Sequence, residues 1–138
     1  MPTLPSPWLL IIDDEPEMAE ELVELCGNAG FPAVSADNLE PALALLEKHH
    51  TIGVIASDLR MPGQESGALM SKLASSAKNL GRPCTLIIMT GHAGSTERKH
   101  ATLLGVEHFF SKPIDTEAFL TTLGGIARDP RGRTQAAD

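Results

Sequence analysis

The feature that most constrains this fold is the alternation, along the chain, of short strand-like runs with stretches of helical periodicity. The strand-like runs are Trp8–Ile12, Pro32–Ser35, Ile52–Ala56, Cys84–Met89 and Val106–Ser111. The first run is apolar at every position, which is typical of a strand covered by helices on both faces. Five strands that alternate with five helices predict an α/β fold built on a doubly wound parallel sheet.

The helical stretches carry start and stop signals. The first is predicted to begin at Pro16, since proline suits the first position of a helix, and to end in the glycine-containing segment Gly27–Gly30. The others follow the same capping and periodicity rules. The second helix is predicted to be capped by Asp37 or Asn38, and the third is indicated by apolar residues from Leu69 onward. The fourth is predicted to begin near Ser95, and the fifth is predicted to be capped by Asp115.

Ionisable or hydroxyl side chains stand at the ends of four of the predicted strands. They are Asp13 and Asp14, Asp58, Thr90, and Lys112. Because the carboxyl ends of parallel strands meet at one edge of a sheet, we expect these side chains to lie close together. Three carboxylates in one place repel each other unless a cation or protons relieve the repulsion. Mg²⁺ prefers oxygen ligands, so the sequence predicts a magnesium site at this edge.

These positions, taken with their neighbours, resemble the motif set of the response-regulator receiver domains of two-component signalling. The motifs are Asp13-Asp14, Asp58 with Met61-Pro62, Thr90-Gly91 and Lys112-Pro113, in the family's order and close to its spacing. The resemblance covers roughly Trp8 to Ala127. It implies a flavodoxin-like (βα)5 fold with the strand order 2-1-3-4-5, an order that the sequence by itself leaves open.

The resemblance also implies a role for each acid and for the lysine. Asp58 is the implied phosphoacceptor and contributes to the metal site. Asp14 is implied to bind Mg²⁺ directly and Asp13 through water, with the backbone carbonyl of Arg60 as a further ligand and Mn²⁺ as a substitute ion. The ammonium of Lys112 would neutralise charge on the phosphoryl group during in-line transfer.

A second group of residues is implied to report or tune the modification. Thr90 would donate a hydrogen bond to the phosphoryl group, and Phe109 is the aromatic expected to turn inward as Thr90 moves. Core packing alone would also account for Phe109. Arg60 and His92 occupy the positions that flank the approach of water to the phosphoryl group, so they are expected to alter its lifetime.

The loop after Asp58 departs from the family pattern. Four residues separate Pro62 from Gly67, where receivers usually have three. The resemblance therefore does not define the conformation of the segment Gly63–Gly67.

Length and composition limit the organisation of the chain. Its 138 residues are one domain's worth, with 1–7 predicted as a flexible leader, 8–127 as the receiver domain and 128–138 as a disordered tail or the start of a linker. Two cysteines, Cys26 and Cys84, are too few for a disulfide scaffold or a four-ligand zinc site, so reduced thiols are expected.

The charge and hydropathy of the chain limit its partners and its location. A net charge of −7 opposes direct binding of nucleic acid or an anionic membrane by this chain. No apolar run approaches the roughly 20 residues of a membrane span, and no signal peptide is recognisable. A cytoplasmic location is therefore expected.

The expected function is that of a signalling switch and not of a turnover enzyme. Asp58 would take a phosphoryl group from a sensor histidine kinase or a histidine phosphotransfer protein, and an output domain or downstream protein would respond. Partners would read the surface formed by the Ser95 helix, the fifth strand and the Thr116 helix, which could also support a homodimer.

Three alternative functions stay open. A flavodoxin-like cofactor binder would share the fold class, but the acids Asp13 and Asp14 after the first strand would repel its phosphate. A magnesium-dependent phosphatase could use an aspartyl-phosphate intermediate. A receiver-fold interaction module could work without phosphorylation, although such chains tend to have lost the acidic or lysine positions that are intact here.

Overall fold

The computed structural model describes residues 5–61, 63–91 and 94–129, and within them strands and helices alternate. The strands are β1 (Leu9–Ile12), β2 (Ala33–Ala36), β3 (Val54–Asp58), β4 (Thr85–Thr90) and β5 (His108–Ser111). The helices are α1 (Pro16–Asn28), α2 (Leu39–Lys48), α3 (Ser66–Lys78), α4 (Ser95–Leu103) and α5 (Thr116–Arg128). The alternation predicted from the sequence is confirmed.

The strands form one parallel sheet in the order β2-β1-β3-β4-β5, which confirms the predicted order. The chain winds from β1 outward to β2 and then returns to the other side of β1, where β3 pairs with it from Leu9 opposite Val54. The direction of winding therefore reverses between β1 and β3. In sheets of this kind, ligands bind in the crevice beyond the carboxyl ends of the strands at such a reversal.

Successive side chains of the central strands enter two different apolar layers. Leu10 and Ile12 of β1 pack in the cluster covered by α2, α3 and α4, whereas Leu9 and Ile11 pack in the cluster covered by α1 and α5. All four side chains are fully buried. A strand with both faces covered has no solvent face, which is why β1 shows no polar alternation.

Strand ends differ from the prediction by one or two residues, and the difference matters at the site. β3 runs over Val54–Asp58 instead of Ile52–Ala56, because its pairing with β4 continues to Asp58 opposite Met89. Asp58 is therefore the last residue of the strand and not part of the turn after it. Thr90 is likewise the last residue of β4.

Helix starts are set by side-chain caps. Asn38, and not Asp37, caps α2, since its side chain accepts a hydrogen bond from the backbone N–H of Glu40 at 3.2 Å. Asp115 caps α5 as predicted, accepting from the N–H of Ala118 at 3.1 Å. None of the helices in the described ranges is both long and apolar enough to cross a membrane.

Both cysteines are free thiols: Cys26 is buried, and Cys84 is partly buried. Burial raises the pKa of Cys26 to about 11 and that of Cys84 to about 12. Both thiols therefore stay protonated near neutral pH, the form that is neither nucleophilic nor metal-binding.

Candidate functional site

Asp58 ends β3 at the carboxyl edge of the sheet and is only 4% exposed. Its Oδ1 accepts a hydrogen bond from the backbone N–H of Arg60 at 3.0 Å, and its Oδ2 lies 2.9 Å from Nζ of Lys112. The hydroxyl of Ser57 donates to the backbone carbonyl of Asp58 at 2.8 Å. One carboxylate oxygen is thus held by the backbone, and the other faces the ammonium.

Asp13 and Asp14 follow β1, the strand that neighbours β3. Asp13 is 3% exposed; its Oδ1 accepts from the backbone N–H of Glu15 at 2.9 Å, and its Oδ2 accepts from Nζ of Lys112 at 2.8 Å. Asp14 is more exposed than Asp13. One oxygen from each of Asp13, Asp14 and Asp58 lies within 4.8 Å of the other two. The structure therefore brings together the three acids that the sequence placed at this edge.

Lys112 follows β5 and bridges two of these acids, with its side chain 12% exposed. Burial is the largest single influence on the pKa of Lys112 and lowers it, but the hydrogen bonds and charges of Asp13 and Asp58 together outweigh burial and raise that pKa above its usual value. Lys112 is therefore charged at neutral pH. Three carboxylates and one ammonium carry a formal charge of −2, which a divalent cation would balance.

Thr90 and Phe109 lie on adjacent strands at different distances from the acids. Thr90 is 1% exposed, and its backbone carbonyl accepts from the N–H of Lys112 at 2.8 Å. Thr90 pairs with Ser111, whereas Phe109 pairs with Ile88, farther from the carboxyl edge. Phe109 is partly buried and packs against the cluster covered by α2, α3 and α4. Thr90 thus belongs to the site edge, and Phe109 belongs to the sheet behind it.

The two residues predicted to flank the approach of water are not equally placed. The side chain of Arg60 is exposed, and its backbone N–H is bonded to Asp58. His92 and the motif proline Pro62 lie outside the described residues. The roles of Arg60 and His92 in phosphoryl lifetime stay predictions.

The described residues of the loop between β3 and α3 make backbone and capping contacts. Gly63 has φ +77°, in the left-handed region that favours glycine, and the N–H of Gln64 donates to the carbonyl of Met61 at 3.0 Å. The carboxylate of Glu65 then caps α3 by accepting from two N–H groups of its first turn at 2.9 and 2.8 Å. Those two hydrogen bonds lower the pKa of Glu65. These contacts involve Gly63, Gln64 and Glu65, three residues of the segment Gly63–Gly67 whose conformation the family pattern left open.

One contact near Phe109, the predicted switch residue, was not predicted from the sequence. The guanidinium carbon of Arg98 in α4 lies 4.6 Å from the ring centroid of Phe109, within the range of a cation–π interaction. Its Nη2 also donates to Oγ of Ser111 at 3.3 Å. Arg98 lies on α4 and its partners lie on β5, 11 and 13 positions further along the chain, so the contact depends on how these two elements pack and not on a local motif.

Fold and site together define a class: doubly wound α/β proteins with a cluster of acids bridged by a lysine at the reversal point of the sheet. The chain belongs to the response regulator receiver domain family, because the model of that description matches residues 9–124.

Curated relatives of this chain include regulators and a kinase. The two-component response regulator PprB of Pseudomonas aeruginosa is 34% identical over 112 residues, which are 81% of this chain and 40% of PprB. The transcriptional regulatory protein FixJ of Bradyrhizobium diazoefficiens is 28% identical over 93% of this chain and 61% of FixJ. The sensor histidine kinase RcsC of Escherichia coli is 27% identical over 83% of this chain and 12% of RcsC. The chain spans less than two thirds of each of these relatives.

Solved structures agree with the fold. The crystal structure of a response regulator receiver protein from Pseudomonas putida superposes with a TM-score of 0.78 at 27% identity, covering 89% of this chain and 99% of that one.

Proposed function

We propose that this chain is a phosphorylation-dependent switch, in which Asp58 accepts a phosphoryl group from a phosphohistidine and thereby alters a partner-binding surface. One observation carries the proposal. The ammonium of Lys112 lies 2.9 Å from Asp58 and 2.8 Å from Asp13, beside a third acid, Asp14, whose oxygen is within 4.8 Å of theirs. Membership of the receiver family supports this role.

The donor set fits Mg²⁺. Carboxylate and carbonyl oxygens are the ligands that this ion prefers, and the formal charge of −2 on the four side chains favours a divalent cation. Asp14 and Asp58 would bind it directly, Asp13 through water, and Arg60 by its backbone carbonyl. Mn²⁺ accepts the same oxygen ligands and could replace it. When bound, the ion would neutralise part of the charge on the phosphoryl oxygens.

The protein's own groups would orient the transfer. The Asp58 carboxylate attacks phosphorus in line as the P–N bond to the donor imidazole breaks. The N–H of Arg60 holds one oxygen of Asp58, which leaves the other oxygen facing the ammonium of Lys112. Lys112 exchanges a carboxylate contact for a phosphoryl oxygen, and because its Nζ already lies against Asp58, this exchange needs little movement.

Transmission would run through the neighbouring strands. The Thr90 hydroxyl turns to donate to the phosphoryl group, and Phe109 turns inward behind it. The surface of α4, β5 and α5 then changes shape, so that an output domain or downstream protein can read it, or a second copy can form a homodimer on it. Arg60 and His92 set how fast water removes the phosphoryl group.

The setting that fits this function is the cytoplasm, with a sensor histidine kinase or a histidine phosphotransfer protein as donor. Residues 8–127 would form the receiver domain, with 1–7 as a leader and 128–138 as a tail or linker, of which Arg128 still belongs to α5. The net charge of −7 opposes direct nucleic-acid or membrane contact, so any such activity belongs to another domain. The chain modifies itself and does not turn over a substrate.

The test is labelling with acetyl phosphate, followed by intact-protein mass spectrometry. One phosphoryl group should appear with Mg²⁺, disappear with chelator, and be absent in Asp58→Asn. Asp37→Asn is the matched control, because it removes an exposed acid at the end of β2 and should label normally. Labelling that survives Asp58→Asn or chelator contradicts the proposal. Continued release of phosphate from added phosphoesters would favour the phosphatase alternative instead.

A further inference from the structure

Arg98 joins α4 to β5 through two contacts made by one side chain. Its guanidinium carbon lies 4.6 Å from the centroid of the Phe109 ring, and its Nη2 donates to Oγ of Ser111 at 3.3 Å. Phe109 and Ser111 are alternate residues of a strand, so their side chains share one face of the sheet. Arg98 therefore spans the length of strand that leads from the aromatic ring to the site edge.

The two residues that Arg98 contacts are linked by the sheet to the residues of the site. Ser111 pairs with Thr90, and it immediately precedes Lys112, whose ammonium binds Asp13 and Asp58. Thr90 and Lys112 are therefore neighbours of Ser111, whose hydroxyl accepts the hydrogen bond of Arg98. A movement of either residue would be felt at this hydrogen bond. The same guanidinium covers the ring that would have to move.

Little of α4 is buried. All nine residues of this helix are described, and among them only Ala101 is buried. Because one methyl group contributes little apolar burial, the contacts of Arg98 with β5 are not backed by a large apolar face of α4.

We propose that Arg98 is a positioning residue that holds Phe109 and α4 in the arrangement of the unmodified chain, and so sets how much of the binding free energy at Asp58 is consumed in switching. This inference rests on the proposed function. Turning the ring away from the guanidinium forfeits the cation–π contact, which at an exposed site corresponds to a factor of about two to five in an equilibrium constant. Removing that contact makes the switched state easier to reach.

The test is a titration with beryllofluoride, a stable mimic of the phosphoryl group, in saturating Mg²⁺. Amide NMR signals of β4, α4 and β5 give both the midpoint and the extent of the conformational change. For Arg98→Ala, the midpoint should fall about two- to fivefold below that of the unmutated chain, because binding and switching are linked. Arg98→Lys keeps the charge without the planar guanidinium, so its midpoint should lie between the two.

Lys99→Ala is the matched control, since Lys99 is the next residue of α4, is also exposed, and loses the same charge. Its midpoint should stay at the unmutated value. The role of Arg98 is overturned if Arg98→Ala and Lys99→Ala have equal midpoints. It is also overturned if the midpoint of Arg98→Ala lies at a higher beryllofluoride concentration than that of the unmutated chain. If the unmutated chain does not respond to beryllofluoride, the proposed function itself fails. If it responds and only the Arg98 variants behave like the control, that function stands without this inference.

Discussion

Helices α4 and α5 precede and follow the same strand, β5, but they are held in different ways. Within α5, Phe119 and Leu123 are fully buried, and Asp115 caps the first turn through its carboxylate. Within α4, described over its full length, Ala101 is the only buried residue, and the N-cap position is Gly94, which has no side chain to accept a hydrogen bond. The two helices therefore differ in both burial and capping.

Helix α5 is anchored by side chains buried in the core, whereas α4 contacts its neighbours through side chains near the surface. Burying a phenylalanine or leucine side chain contributes about 1.5–3 kcal/mol, whereas a methyl group contributes less than about 1 kcal/mol. In place of an apolar face, α4 has the contacts of Arg98 with β5 and of His100 with α3. The His100 ring lies so close to Gly67 of α3 that a Cβ atom at Gly67 would be 3.0 Å from it. Elements that move in switching come from the less stable parts of a fold. Of these two helices, α4 therefore needs less free energy to displace.

The largest expected effect comes from removing the anchor of α5. Phe119→Ala deletes a fully buried ring that packs edge-to-face against Phe110 at 5.4 Å, so the free energy of unfolding should fall by about 3–5 kcal/mol. In α4 the corresponding large apolar residue, Leu103, is 86% exposed, and Leu103→Ala should change that free energy by less than about 0.5 kcal/mol. Urea unfolding of both variants measures the difference. A comparable loss in the two would show that α4 is anchored as firmly as α5.

A smaller effect should follow from removing the cap of α5. The Asp115 carboxylate accepts from the N–H of Ala118 at 3.1 Å, and replacing such a cap by alanine costs about 1 kcal/mol. Asp115→Ala should therefore lower the urea midpoint, while Asp115→Asn, which keeps a capping oxygen, should restore most of the loss. An unchanged midpoint for the alanine variant would mean that burial alone fixes the start of α5.

Much of the architecture could be predicted from local patterns. The apolar strands stand out because both of their faces are covered, and the site acids stand out because they interrupt those strands at one edge. The strand ends could not be predicted, because parallel pairing with β4 carries β3 through the polar residues to Asp58. Nor could the choice of cap for α2, where the carboxylate of Asp37 accepts from Nδ2 of Asn38 at 2.9 Å and leaves Asn38 as the cap.

The site shows the same division between local and tertiary information. The acids and Lys112 were expected at one edge, but the direct bond of Lys112 to Asp13 depends on how β5 lies relative to β1 in the folded sheet. The position of Arg98 over Phe109 depends on how α4 packs against β5. Both contacts are tertiary, so motif spacing along the chain carries no information about them.

The smallest effect should come from giving α4 the cap that it does not have. At Gly94, φ is −82° and ψ is 173°, a conformation that serine adopts without strain, and the ideal Cβ lies 2.8 Å from Oε2 of Glu97, the flexible end of a side chain that already reaches back to this position. Gly94→Ser would complete a capping box with Glu97, stabilising the first turn of α4 by a few tenths of a kcal/mol. Hydrogen exchange should slow by about 1.5- to twofold in α4 and stay unchanged in α5. Gly125→Ala is the mirror control, because Gly125 lies within α5 with open space around its ideal Cβ, and it should slow exchange in α5 alone. If Gly94→Ser slowed hydrogen exchange equally in both helices, α4 would open only when the whole domain unfolds. The two helices would then not differ in how firmly they are held.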